Sequence, residues 1–166
     1  TMMIPITVRL IPSYNLCRNL NMLDTYMGMI LPQVAWSIPF GTFLMRQFYM
    51  GIPKQLDEAA KIDGANHFQI FWKILLPNTK SSMATLGIYT FISAWNNLIW
   101  MLLSVRSEGK WTVTLGISSI CGASVIKQPT WNLIMGVIVI GMIPVLILFF
   151  AFQKYFMQSV AATGIK

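Results

Sequence analysis

The chain has 166 residues, of which 55% are hydrophobic and only 10% carry a charged side chain. A soluble domain has roughly a quarter charged residues, so this chain could neither cover its surface nor hide its apolar side chains in one core. Two cysteines exclude a disulfide-rich secreted scaffold, and the hydrophobicity excludes a disordered chain. The composition predicts an integral membrane protein, on which the net charge of +7 reports orientation rather than nucleic-acid binding.

Three uncharged segments are long enough to cross the membrane as helices, which takes about 20 mostly apolar residues. They are residues 27–45, 82–104 and 131–152. A fourth segment, residues 2–17, is short and contains Arg9, whose charge has to face water or the interior of a helix bundle. The predicted fold class is therefore all-α, a polytopic transmembrane helix bundle.

The short segment 2–17 is interpreted as a first span whose beginning is missing. The chain starts at Thr1 rather than Met, and no signal peptide precedes it. No internal repeat divides the sequence. Residues 1–166 are accordingly expected to be the partial, C-terminal portion of a single transmembrane domain.

A long polar connection, residues 46–80, holds eight charged residues, five of them basic. Because consecutive spans run in opposite directions, this connection and the C-terminal tail share one side of the membrane. That side has seven basic residues against four on the other. The positive-inside rule therefore places both in the cytoplasm.

Within this connection the residue pattern predicts two short helices joined by a glycine. Asp57 and Glu58 can both pair with Lys61 on the first helix, and Gly64 permits the left-handed turn that ends many helices. The second helix is predicted to begin with a capping box and to end at a proline. Its signals are Asn66 and Gln69 for the box, an apolar face of Phe68, Phe71, Trp72 and Leu75, and Pro77 at the end.

The same residues resemble the EAA loop of ABC importer permeases. The matching positions are Glu58-Ala59-Ala60, Gly64 and, after nine intervening residues, Ile74-x-Leu76-Pro77. With Asp63 before the glycine, the segment is similar to the carbohydrate-importer (maltose-permease-like) family, which has a MetI-like permease core. Ser81, Asn97, Met101 and Met2 depart from the usual family pattern, which leaves the substrate open.

The resemblance implies that the loop docks on a cytoplasmic ABC ATPase dimer and transmits its closure to the helices. The residues expected to do so are Glu58, Ala59, Ala60, Asp63, Gly64, Phe68, Phe71, Ile74, Leu76 and Pro77. The alternative is a solvated amphipathic loop with a structural glycine, in which Phe68 packs on its own bundle. Gly164 and Lys166 in the tail are expected either to contact the ATPase or to belong to a frayed terminus.

Four side chains in the later half of the predicted span 82–104 are candidates for a translocation pathway. They are Trp95, Asn96, Asn97 and Trp100. Aromatic faces stack on sugar rings and amides bind hydroxyls. A structural role is the alternative for these side chains, because tryptophans form belts at the membrane interface and asparagines hydrogen-bond between helices.

The expected function is a permease subunit that imports a sugar or oligosaccharide across a bacterial inner membrane. No catalytic, cofactor or metal site is predicted in the chain, and ATP is expected to bind to partner subunits. The further partners implied are a second permease subunit, an extracytoplasmic solute-binding protein, the sugar and the lipid bilayer, but no nucleic acid. An importer of a non-sugar solute is the alternative, and a membrane-embedded enzyme is a remote one.

Overall fold

The computed structural model describes residues 2–126 and 131–163, with side chains described over 2–122 and 131–153. These residues form helices and connecting turns without a β-strand, which confirms the all-α prediction for them. The α-helices are α1 Ile6–Asn19, α2 Tyr26–Met50, α3 Lys54–Ile62, α4 His67–Ile70, α5 Leu76–Asn78, α6 Lys80–Trp95, α7 Leu98–Ser104, α8 Val113–Ile126 and α9 Trp131–Thr163. A π-helical turn, Phe71–Leu75, joins α4 to α5, and a 3₁₀ turn, Glu108–Lys110, precedes α8.

Two of the described helices are long and apolar enough to cross a membrane. They are α2 and the Trp131–Gln153 part of α9. The predicted segment 82–104 is two helices, because α6 and α7 are bent by 52° at a short break, and they make a third crossing only if the pair counts as one span. The predicted segment 2–17 corresponds to α1, which has 14 residues. The assignment of membrane spans stays a prediction.

The break between α6 and α7 falls on two asparagines. The backbone amide of Leu98 bonds to the carbonyl of Asn96 at 2.9 Å, which interrupts the helical ladder. The side chain of Asn97 then accepts a hydrogen bond from the amide of Trp100 at 3.3 Å and begins α7. Asparagine favours this position because its side chain competes for nearby backbone groups.

Helix α8 was missed by the sequence analysis, which treated residues 106–127 as a connection. It packs against α7 and α9, and Thr112 accepts a hydrogen bond from the amide of Leu115 at its start. An uncharged run over 113–126 was the available signal, but 14 residues are too few for a membrane span.

The core lies where α1, the start of α2, α7 and α8 meet. Its buried residues are Cys17, Met29, Trp100, Met101, Val105 and Leu115. Helix α9 packs outside this core against α6 and α8, and its far side leaves large side chains such as Ile140 and Phe150 more than 60% exposed. An apolar surface of this extent is typical of contact with lipid or with another subunit.

Candidate functional site

The connection between α2 and α6 begins with α3, a short helix that follows Pro53. The Nζ of Lys61 bonds to the Asp57 carboxylate at 2.6 Å, one helical turn away. Glu58 is exposed and makes no salt bridge to any described residue, so the predicted pairing of Lys61 occurs with Asp57 alone. The Glu58 carboxylate is therefore available to a partner molecule.

Gly64 ends α3 in a Schellman motif. Its φ is +79°, in the left-handed region that a glycine adopts without a steric cost. The amide of Gly64 donates to the carbonyl of Lys61 at 3.1 Å, and the amide of Ala65 donates to the carbonyl of Ala60 at 2.9 Å. This pair of bonds satisfies the last carbonyls of α3 and turns the chain sharply into the second helix.

The second helix begins with the predicted capping box. The amide of Gln69 bonds to the Asn66 side chain at 2.8 Å, and the Gln69 side chain accepts the amide of Asn66 at 2.9 Å. Two helices joined by Gly64, as the sequence indicated, are therefore present. Ile70, only 2% exposed, anchors the second helix, and the sequence analysis did not single it out.

Pro77 explains the π-helical turn that precedes it, which the sequence analysis missed. A proline has no N–H, so it cannot continue the helical ladder. The amide of Leu76 instead bonds to the carbonyl of Phe71, five residues back. The Asn78 side chain donates to the carbonyl of Ile74 at 2.7 Å, and the Thr79 hydroxyl donates to that of Leu75 at 3.1 Å. The helix thus continues one residue beyond Pro77 and ends at Asn78.

Most of the predicted coupling residues are on the surface of this segment. Ala60 is the exception, since it is buried at 6% exposure. The exposed ones are Glu58, Ala59, Asp63, Gly64, Phe68, Phe71 and Pro77, whereas Ile74 and Leu76 are half-buried. Phe68, at 72% exposure, offers the largest apolar surface of the set and does not pack into its own bundle.

An aromatic row connects this surface to α2. Phe68 lies 6.1 Å from Trp72, and Trp72 lies 5.8 Å from Phe71 between ring centres. Phe71 in turn meets Tyr49 of α2 edge-on at 6.3 Å. The row is thus a continuous set of ring contacts from Phe68 to the last turn of α2.

Beside the row, a shallow groove of about 320 Å³ runs over the glycine turn. Its lining residues are Asp63, Gly64, Ala65, Gln69, Lys73 and Ile74. One acidic and one basic residue face the same groove, which suits a polar side chain from a partner better than an apolar one.

The four pathway candidates have different surroundings. Trp95 is half-buried and stacked on Phe91 at 5.6 Å. Asn96 is exposed, with no side-chain hydrogen bond to a described residue, while Asn97 caps α7. Trp100 is fully buried, so it offers no surface to a solute in this structure. A role for these residues in a pathway stays a prediction.

Pro32 frees the backbone carbonyl to which Trp100 bonds. Because this proline has no N–H, the carbonyl of Gly28, four residues earlier on α2, lacks its helical partner. The indole Nε1 of Trp100 donates to that carbonyl at 3.1 Å. The ring of Trp36, 5.2 Å away and edge-on, packs against the same indole.

Asp24, which the sequence analysis did not single out, joins two distant connections. Its carboxylate accepts hydrogen bonds from the hydroxyl of Ser107 and from the backbone amides of Ser107 and Arg106, the latter two at 3.0 and 3.1 Å. The Nζ of Lys110 lies 3.6 Å from the same carboxylate. The Ser107 bonds above all, then the Arg106 amide and the Lys110 charge, hold the pKa of Asp24 below its usual range.

The predicted tail contacts, Gly164 and Lys166, lie outside the described residues. Within the described side chains no three histidine, cysteine or carboxylate groups come together as they would around a metal ion. Cys17 and Cys121 are both free thiols.

Comparison with known proteins gives consistent matches along the chain. Residues 1–162 match the family described as the inner membrane component of binding-protein-dependent transport systems. The sn-glycerol-3-phosphate transport system permease protein UgpE of Yersinia enterocolitica is 39% identical over 160 residues, 96% of this chain and 56% of that protein. The arabinooligosaccharides transport system permease protein AraQ of Bacillus subtilis is 32% identical over 165 residues, 99% of this chain and 57% of that protein.

A solved structure shows the same fold. It is the crystal structure of a bacterial ABC transporter involved in the import of the acidic polysaccharide alginate. The match has a TM-score of 0.69 and 30% identity, and it covers 88% of this chain and 55% of that one. The chain thus spans just over half the length of the proteins that it matches.

Proposed function

Because this chain belongs to the family of inner membrane components of binding-protein-dependent transport systems, we propose that it forms part of the permease subunit of an ABC importer for carbohydrates. The observation that carries the proposal is the α3–Gly64–α4 turn, with its exposed carboxylate and exposed aromatic side chain. AraQ and the matched structure support the cargo class, because AraQ is a permease protein for arabinooligosaccharides and the structure is of a transporter involved in the import of a polysaccharide.

The proposed task of the turn is to receive motion from an ATPase dimer. Glu58 and Phe68 are exposed on neighbouring helices, and the groove between Asp63 and Lys73 lies beside them. A charged group and an apolar anchor at one surface are the usual elements of a specific protein interface. ATP binds to the partner in this proposal, and the chain supplies only the docking surface.

The motion then reaches the membrane helices by two routes. The aromatic row ends on Tyr49 of α2, and the hydrogen bonds around Pro77 lead into α6. Both routes use packed side chains or bonded backbone, so the segment moves as a rigid lever rather than a flexible tether. Opposite ends of the bundle then open in turn.

The proposed orientation places the segment 46–80 and the C-terminus in the cytoplasm, on the distribution of basic residues. The connections around Asp24 and Ser107 then face outward, where a solute-binding protein delivers its cargo. A second permease subunit completes the pathway, with Trp95 and Asn96 as the candidates on this chain for contact with the sugar.

The docking proposal is tested in the complete importer by co-purification with the ATPase and by transport-coupled ATP hydrolysis. Glu58→Lys and Phe68→Ala are each expected to weaken co-purification by about tenfold or more, as interface anchors do. Phe150→Ala is the matched control, because Phe150 is a similarly exposed aromatic residue on α9. Full assembly and full coupling in both loop variants would show that the segment is not the docking surface.

A further inference from the structure

One arginine and one glutamine in the bundle have buried donors that no described residue accepts. They are the Nε of Arg9 on α1 and the Nε2 of Gln33 on α2. A guanidinium is charged at any physiological pH and only donates hydrogen bonds. A buried donor without an acceptor is destabilising, so an acceptor beside the Arg9 Nε and the Gln33 Nε2 would stabilise the bundle.

Arg9 and Trp36 lie at the same depth in the bundle. Arg9 is ten residues before the end of α1 at Asn19, and Trp36 is ten residues after the start of α2 at Tyr26. At 1.5 Å per residue both are about 15 Å from the end that carries Asp24, close to the middle of a hydrocarbon layer about 30 Å thick. Gln33 is one turn nearer to that end, on the Trp36 side of α2.

The arginine is held on a rigid aromatic support. Its Cζ lies 5.9 Å from the centre of the Trp36 ring. Trp36 packs edge-on against Trp100, which is fully buried and bonded to α2. The contact with the ring offsets part of the free-energy cost of placing the charge in the bundle. The ring does not accept the hydrogen bonds that the guanidinium donates in its own plane.

No carboxylate of this chain lies at this depth. The five acids are Asp24, Asp57, Glu58, Asp63 and Glu108, and every one of them lies outside the predicted spans. The two salt bridges among described residues are Lys61–Asp57 and Lys110–Asp24, far from Arg9 in the sequence. The counter-charge for Arg9 therefore comes from outside the described residues of this chain.

We infer that Arg9, Gln33 and Trp36 form a recognition site for an acidic sugar, with Arg9 binding its carboxylate or phosphate group. The inference rests on the proposed function and deepens it by naming the substrate class. A guanidinium binds either anion through two parallel hydrogen bonds. The Gln33 amide donates to an anion or hydroxyl oxygen of the same solute, and the Trp36 face packs on the apolar face of a sugar ring.

The test is uptake by the complete importer, with its ATPase and binding protein, in proteoliposomes. The probes are a galacturonate disaccharide, glucose 6-phosphate and a neutral galactose disaccharide, which separate carboxylate, phosphate and uncharged cargo. The wild type is expected to take up one of the acidic probes. Arg9→Gln lowers that uptake by about tenfold or more, because it removes the charge-assisted pair. Arg9→Lys retains more of it than Arg9→Gln, since it keeps the charge.

The matched control is Arg18→Gln, an exposed arginine at the other end of the same helix, which leaves uptake unchanged. Wild-type uptake of the acidic probe by Arg9→Gln overturns the inference. If the wild type takes up only the neutral probe, the acidic-sugar inference is wrong while the proposed importer role stands. If the wild type takes up none of the three probes, the proposed carbohydrate cargo is contradicted as well. If Arg9→Gln no longer co-purifies with the second permease and Arg9→Lys does, Arg9 pairs with an acid of that subunit, and the inference is wrong.

Discussion

The backbone amide of Ser107 donates a hydrogen bond to the carboxylate of Asp24 at 3.0 Å, across 83 residues of sequence. The bond joins the connection between α1 and α2 to the connection after α7. The amide of Asp24 also bonds to the carbonyl of Ser104 at 2.7 Å, so the two connections are linked in both directions. Asp24 thereby joins the two connections at one end of the bundle through its side chain and its backbone, whereas the other end carries the exposed α3–Gly64–α4 turn.

Replacing Asp24 is expected to lower the stability of this end. Asp24→Ala removes every acceptor for the Arg106 and Ser107 amides, and the Lys110 ammonium loses its counter-charge. The midpoint of thermal unfolding of the full-length protein in detergent measures the effect. Asp57→Ala is the control, because it breaks only an exposed pair on one helix, worth about 0.3–0.5 kcal/mol. An equal change in the two variants would contradict a special role for Asp24.

The contribution of Asp24 is expected to depend on pH. Its pKa is lower in the folded protein than the ordinary value of 3.8, so the unfolded chain binds this proton first as the pH falls. The stabilisation is therefore complete above about pH 4 and is lost progressively as the pH falls towards the folded pKa. The difference in unfolding midpoint between wild type and Asp24→Asn, measured from pH 6 downward, should shrink below that point. A constant difference would mean that ionisation of Asp24 is unimportant.

Gly28 is expected to tolerate no side chain. A Cβ at this position would lie 2.0 Å from the carbonyl oxygen and 2.9 Å from the carbonyl carbon of Met22, and backbone atoms cannot move aside cheaply. Gly28→Ala should cost at least about 1–3 kcal/mol, the range for overpacking. The control is Gly41→Ala, whose Cβ would make ordinary contacts of 3.5 Å with Leu86. Thermal unfolding of both variants separates the steric effect from the general effect of alanine in a helix.

Trp100→Phe is expected to destabilise the core by about 1–3 kcal/mol, because the carbonyl of Gly28 would lose its donor while staying buried. Trp72→Phe provides the comparison, since Trp72 is 53% exposed and makes no such bond. Chemical unfolding of the purified protein gives the two free energies. A loss of transport in Trp100→Phe at unchanged stability would instead favour the direct contact with solute that the sequence suggested.

The sequence predicted the coupling segment well because its signals are local. The glycine turn and the capping box each depend on residues three to five apart, and the structure contains both. The π-helical turn before Pro77 was missed, although the missing N–H of a proline indicates that the helical ladder has to change there.

The sequence by itself determined the membrane class, the helical fold and the shape of the segment between α2 and α6. These follow from composition, from hydrophobic runs and from turn residues, which act over one or two helical turns. Only the tertiary structure decided that Trp100 is buried on the carbonyl freed by Pro32, that Asp24 holds Ser107, and that Arg9 lies on Trp36 with no salt bridge to a described residue. Each of these pairs elements far apart in the chain, and the packing of helices, rather than any local preference, brings such groups together.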